Sequence, residues 1–191
     1  MSEAFEAYHD ERRTELIDGQ IVAMSPSPAW NHVSIAINIY NIFNAYLHGK
    51  KCKAIPDGFD LHLTKKDVFV PDFMVVCDRD KIKPNGVYGG ADLIVEVLSP
   101  STTKRDRGYK KRLYAEYGTK EYWLVSPNEK SIEVYLNNGK DLVCHDIYTV
   151  YPDWQLEQMT DEERANVVTK FRCSLFEELE ISLDDVFFDL L

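Results

Sequence analysis

Residues 91–125 read ADLIVEVLSPSTTKRDRGYKKRLYAEYGTKEYWLV, and the succession of patterns within them decides the fold. Residues 91–98 are a nearly continuous apolar run, as expected of a strand covered on both faces. Ser99-Pro100-Ser101 ends the run. Thr102 or Thr103 is placed to cap a helix over about 103–117, which Gly118 closes. Residues 121–125 then form a second strand. Strand, helix and strand at this spacing predict a βαβ unit, and so a parallel pair inside a mixed sheet.

One residue of the first strand is out of place. Glu96 interrupts Leu-Ile-Val-Glu-Val-Leu, where an ionised carboxylate is costly unless it is paired, hydrogen-bonded or bound to a metal. Upstream, residues 68–76 (VFVPDFMVV) make a strand pattern broken by Pro71, which implies an edge, a bulge or a strand start. Asp72 is a second acid among apolar neighbours. If the two strands are neighbours, Asp72 and Glu96 converge at one edge of the sheet. Two oxygen ligands with open water positions is the usual protein share of a magnesium site, and such an ion activates water and stabilises charge on a phosphodiester. Taken singly, each acid also fits a partner of a structural arginine or a loop cap.

The helix after Glu96 shifts that balance. Residues 104–112, KRDRGYKKR, carry six bases and one acid. At helical spacing Asp106, Lys110 and Leu113 share one face, and Arg107, Lys111 and Tyr114 share another. A basic run alone is ordinarily a solvated face. Directly after a strand with a buried acid, it offers a lysine to hold the attacking water or neutralise the transition state. Whichever lysine does so, the other bases among Lys104, Arg105, Arg107, Lys110, Lys111 and Arg112 are candidates to grip nucleic-acid phosphates.

Working outward, residues 14–24 (TELIDGQIVAM) alternate around Asp18-Gly19 and predict a hairpin, with Ser25-Pro26-Ser27-Pro28 breaking the pattern. Residues 29–48 predict a helix with a stripe of Ile35, Ile39, Ile42 and Tyr46, flanked by His32 and Phe43. A strand is expected near 59–63, a polar loop over 78–91, and strands at 132–136 and 142–148. Residues 151–172 suggest a short acidic helix between loops, and a last strand near 179–183 precedes a terminal helical turn. No linker divides the chain. The expectation is one α/β domain over 1–191, a mixed central β-sheet flanked by helices, with an acidic segment at 151–191. A chain of 191 residues is long enough to bury a sizeable core.

As a linked set, Pro71-Asp72, Glu96-Val97-Leu98-Ser99-Pro100-Ser101-Thr102, Asp106-Arg107-Gly108-Tyr109-Lys110, Tyr114 and Glu121-Tyr122-Trp123-Leu124-Val125 resemble the Uma-two family of restriction endonucleases, within the PD-(D/E)XK nuclease superfamily. Glu15-Leu16-Ile17-Asp18-Gly19, Met24-Ser25-Pro26 and His32 extend the resemblance upstream, so that it covers most of 14–136. It implies a restriction-endonuclease-like core and a Mg2+- or Mn2+-dependent endonuclease acting on DNA. Asp72 matches the superfamily's metal-binding Asp and Glu96 its Asp/Glu. A main-chain carbonyl ligand would be that of Val97, and Glu15 corresponds to an N-terminal acid of the metal site. The motif lysine belongs two residues after the acid, where this chain has Leu98. The following helix then supplies it, from Lys110, with Lys104 and Lys111 as alternatives. His32 either lines the same cleft or is bonded within the fold.

Three functions compete on these residues. The first is a metal-dependent endodeoxyribonuclease using Asp72, Glu96 and Lys110, with a homodimer as one expected way of cutting both strands. The second is a catalytically inactive nuclease-fold module that binds DNA or a protein partner. A glycoside hydrolase built on the two acids leaves the basic helix unexplained. The net charge of -10 argues against a general nucleic-acid coat protein, but 151–191 carry -8 of it and 1–150 only -2. The acidic, polar N-terminus lacks the pattern of a secretion signal, and no apolar run reaches the roughly 20 residues that span a bilayer. Cys52, Cys77, Cys144 and Cys173 contain no Cys-x-x-Cys pair and read as four reduced thiols of a cytoplasmic protein.

Overall fold

The computed structural model describes residues 13–24 and 28–191. The N-terminal segment read for a signal, and the Ser25-Pro26-Ser27 break with its share of the family resemblance, lie outside the described residues. The predicted hairpin is β1 (Thr14–Ile17) and β2 (Gln20–Ala23), paired antiparallel with Ile17 opposite Gln20. Asp18 and Gly19 make the turn at φ 49° and 77°, the left-handed pair that a tight two-residue hairpin requires.

The helix α1 spans Trp30–Leu47 and buries Ser34, Ile35, Ile39, Phe43 and Leu47. The predicted stripe is therefore displaced in its second half. Phe43 takes the core position, its ring 5.1 Å from Phe73 and 5.7 Å from Trp123, while Ile42 and Tyr46 pack at the flank. The aromatic ring fills more of the space over the sheet than Ile42 could, and steps of four residues continue to Leu47.

Ten further strands precede the C-terminal segment or line its start. They are β3 (Lys53–Pro56), β4 (Leu61–His62), β5 (Val68–Phe69), β6 (Phe73–Val76), β7 (Ile82–Lys83), β8 (Gly86–Tyr88), β9 (Leu93–Val97), β10 (Glu121–Ser126), β11 (Ser131–Asn137) and β12 (Leu142–Thr149). They form two sheets: β2-β1-β5-β4-β8-β7, and a central one, β12-β11-β10-β9-β6-β3. The pair β9–β10 is parallel, with Glu96 opposite Leu124; the central sheet's other pairs are antiparallel. The expected loop over 78–91 instead contains β7 and β8, paired with Ile82 opposite Val87. Strands of two and three residues are too short for alternation to show in a polar stretch. Pro71 does more than interrupt one strand. With no N–H and a fixed φ, it marks the crossing where β5 leaves the first sheet and β6 enters the central one, and Asp72 stands at that crossing.

Between β9 and β10 runs α2, made of Thr103–Arg105, a π-helical turn Asp106–Lys110, and Lys111–Glu116. The central sheet alternates with period two. Phe73, Val75, Leu93, Val95, Val97, Trp123 and Val125 meet α1 and the C-terminal segment on one face. Met74, Val76, Ile94, Tyr122 and Leu124 meet α2 and the first sheet on the other. Each fully buried apolar side chain here contributes about 1.5–3 kcal/mol relative to exposure.

The segment after β12 holds two short helices where one was expected, α3 (Asp153–Gln158) and α4 (Asp161–Ala165), then the hairpin β13 (Lys170–Arg172) and β14 (Glu180–Ser182), and α5 (Leu183–Val186). A capping box between Thr160 and Glu163 starts α4, which explains the division. Buried Glu121 accepts hydrogen bonds from Trp123 Nε1 and from the Ser174 N–H and hydroxyl, fastening this segment to β10. Trp30, Asn31, Ser34 and Asn38 of α1 donate to carbonyls within 186–191.

The expectation of four reduced thiols is corrected. Cys52 and Cys77 form a disulfide, because they are the next cross-strand pair beyond Lys53 opposite Val76. Cys144 and Cys173 are free thiols, the first exposed and the second buried. No helix among the described residues is long and apolar enough to cross a membrane.

Candidate active site

Three layers meet at the proposed chemistry. Glu15 comes from β1 in the first sheet, where Val70 N–H donates to its Oε1 at 3.2 Å. Asp72 stands at the sheet crossing and its Oδ2 accepts from Val97 N–H at 2.7 Å. Glu96, on β9, faces α2: Tyr114 donates its hydroxyl to Oε1 at 2.7 Å, and Lys110 Nζ donates to the same oxygen at 3.1 Å. Lys110 Nζ also lies 2.8 Å from Glu15 Oε1 and 3.6 Å from Asp106 Oδ1. The side chains of Glu15, Glu96, Asp106 and Lys110 are at most 5% exposed. Asp106 and Lys110 bracket the π-helical turn, an insertion that recurs at functional sites.

Burial drives the Glu96 carboxyl well above the ordinary glutamate range. Lys110 opposes that rise, and the charges of Asp106, Asp72 and Glu15 add to it. Asp106 is raised in the same way, by burial first, against the pull of Lys110. For Lys110, burial favours the neutral amine, but Glu96, Glu15 and Asp106 together outweigh it and hold the ammonium protonated. His32 lies with Nε2 3.4 Å from Asp72 Oδ2. Burial would lower its pKa, and the bond to Asp72 with that residue's charge raises it instead.

Glu15, His32, Asp72, Glu96, Val97 and Lys110 line an open cleft of about 1000 Å³, and Asp106 lies behind them, outside its lining. Among the described residues no three His, Cys, Asp or Glu side chains are gathered at metal-ligand spacing, since Lys110 stands between Glu15 and Glu96. The donor chemistry nevertheless fits a hard divalent cation. Asp72 and Glu96 lie one step beyond the Phe73–Val95 pair of adjacent strands, both offer carboxylate oxygen, and the acids around Lys110 outnumber it. A divalent cation would offset that excess of negative charge.

The five bases that the sequence groups on α2 are separated by the helix. Arg105 lines the cleft and Lys104 is exposed. Arg107 makes a two-pronged ion pair with Glu133. Lys111 sits over the Tyr135 ring at 4.4 Å, and Arg112 over Tyr109 at 5.3 Å. Of the three candidate lysines, Lys110 is the one brought to Glu96. Arg13 and Asp57, which also line the cleft, were missed by sequence reasoning. The available signal was parity, because Arg13 is two residues before Glu15 on an alternating strand.

Comparison with known proteins agrees with this architecture. The Uma2 family model, described as "Putative restriction endonuclease", matches residues 2–164. An uncharacterised protein of Synechocystis sp. is 35% identical over 126 residues, which is 65% of this chain and 66% of the relative, just under two thirds of its length. A crystal structure from Anabaena variabilis, described as a "putative nuclease belonging to DUF820", superposes with a TM-score of 0.68 at 21% identity, covering 97% of this chain and 95% of that one. At that identity the likeness shows the fold, a restriction-endonuclease-like core.

Proposed function

The chain belongs to the Uma2 family, and from that premise we propose that it is a metal-dependent endonuclease hydrolysing phosphodiester bonds in DNA. The observation that carries this reading is the buried Lys110 ammonium, hydrogen-bonded to Glu96 and paired with Glu15 on the floor of a cleft that also holds Asp72. Asp72 and Glu96, with the Val97 carbonyl and Glu15, would hold Mg2+ or Mn2+. When bound, such an ion supplies an activated water and charge stabilisation at the phosphorus.

The chain's own groups have separate tasks. The Val97 N–H fixes the Asp72 carboxylate, and the Tyr114 hydroxyl fixes Glu96. Lys110 keeps its proton and stabilises negative charge at the reacting phosphate. His32, bonded to Asp72, lines the same wall. Arg105 reaches a backbone phosphate from the rim.

One observation favours the second reading, an inactive module that binds DNA or a partner. Lys110 already pairs with both Glu96 and Glu15, so the cluster has an internal counter-charge without a metal, and Leu98 stands at the usual lysine position. Nicking of supercoiled plasmid with Mn2+ separates the two. Wild-type protein is expected to cut, and Asp72→Ala and Glu96→Ala to lose at least about a hundredfold, the scale of one lost electrostatic contribution to catalysis. Equal cleavage by all three proteins refutes the site assignment. Absence of Mn2+ binding in calorimetric titration, with salt-sensitive DNA binding retained, selects the module.

A further inference from the structure

Arg13 immediately precedes β1, and its carbonyl accepts the Met24 N–H at 2.8 Å, so the hairpin ladder extends to it. Residues two apart on a strand face the same side, and Arg13 accordingly lines the cleft together with Glu15. Its guanidinium donates to both oxygens of Asp57, at 3.0 and 2.8 Å. The field of Asp72 also reaches it. The two side chains are 51% and 36% exposed, so the pair stands at the rim and buries little. A fork that matches a carboxylate in this two-pronged way matches a phosphate equally well. An exposed ion pair contributes little net stability and is screened by salt, so Asp57 is a weak competitor for an arriving polyanion.

We propose that Arg13 is a phosphate-binding residue of the cleft, parked on Asp57 until a backbone phosphate of the nucleic acid displaces that carboxylate. Asp57 then serves as a built-in competitor that holds down indiscriminate binding. This rests on the nuclease reading above, and the ligand class is a phosphodiester chain, gripped beside the acids and not at them.

The test is fluorescence anisotropy of a short fluorescein-labelled DNA duplex with the metal-free protein in EDTA, across a salt series. Arg13→Ala is expected to weaken binding and to make the slope of log K against log[salt] shallower by about one, the signature of one lost phosphate contact. Arg13→Lys should keep the slope and lose part of the affinity. Asp57→Asn should tighten binding by up to about fivefold, the competition an exposed ion pair offers, and should do nothing in the Arg13→Ala background. Glu178→Gln, at an exposed acid of the C-terminal segment, calibrates the effect of one unit of net charge. The proposal is overturned if the slope is unchanged in Arg13→Ala, or if Asp57→Asn tightens binding equally in both backgrounds. Failure of the wild-type protein itself to bind duplex at low salt, both in EDTA and with Ca2+ in its place, refutes the nuclease reading along with this one. Wild-type binding with an unaltered Arg13→Ala slope refutes the role of Arg13 alone.

Discussion

Replacing Lys110 by Met keeps an unbranched stem in the core and removes the ammonium. Glu15, Glu96 and Asp106 then face one another almost fully buried without their shared counter-charge. Breaking a buried ion pair from one side costs about 3–5 kcal/mol. In a domain of this size each kcal/mol lowers the melting temperature by about 2–4 °C, so the metal-free variant should melt about 6–20 °C below wild type at neutral pH. The pH dependence has a definite sign. Burial already raises the Glu96 carboxyl, and Lys110 restrains that rise; without the lysine the value moves further up. Between the ordinary glutamate range and that raised value the folded state binds more protons than the unfolded chain, so stability falls as pH rises. The deficit is therefore largest above the raised value and shrinks as pH falls. Lys110 itself stabilises the wild type fully below its ordinary value of 10.5, and that contribution is lost as pH rises beyond it. Mn2+ supplies a second arm. An ion that binds only the folded state adds about 2.7 kcal/mol at a hundred times its Kd, and it should restore the variant more than it helps wild type, because its charge replaces the missing ammonium. Circular-dichroism melting in EDTA between about pH 5 and 8, repeated with Mn2+, measures the deficit, its pH dependence and its relief by the ion. An unchanged melting temperature at neutral pH, or a deficit indifferent to pH, refutes this account of the cluster.

Gly90→Ala would place a Cβ 2.0 Å from the Tyr117 carbonyl oxygen, where the end of α2 abuts the approach to β9. Forced overpacking there should cost about 1–3 kcal/mol, seen as a lower urea midpoint with an unchanged m-value. Alkylation of the denatured, unreduced protein should modify Cys144 and Cys173 and spare Cys52 and Cys77. Reduction of that disulfide, whose cysteines are 25 residues apart, should lower stability by about 3 kcal/mol.

The parts of the fold legible in the sequence are those in which local pattern and tertiary demand coincide. Asp18-Gly19 specifies its turn wherever the hairpin packs, and residues 91–125 carry strand, helix and strand in unbroken order. Glu96 was conspicuous because a carboxylate in a strand buried on both faces needs a partner. Lys110 was one of three lysines near it, and helical phase alone did not choose among them; the docking of α2 against β9 does. Pro71 signalled an interruption, but whether the chain bends within one sheet or passes to another depends on pairing with β1, β4 and β9, which are distant in sequence. The strands β7 and β8 are too short to show a period. Nothing local relates Cys52 to Cys77; the register of β3 on β6 makes them neighbours. Arg13 and Asp57 form an ion pair across 44 residues of sequence, and no local pattern connects them.

Lys110 ties its own helix to Glu15 of one sheet and Glu96 of the other. The amides of Val70 and Val97 are bonded to Glu15 and Asp72 at the same junction. The site is thus a property of how the layers dock, over and above the layers themselves. A sub-global opening that lifts the first sheet from the central one would dismantle it while both hydrogen-bonded ladders persisted. In hydrogen exchange, the Val70 amide would then report the opening that disarms the cleft, ahead of the strand interiors. Mild heating or denaturant would extinguish function before far-ultraviolet circular dichroism registered any loss, making competence a sensor of interlayer cohesion.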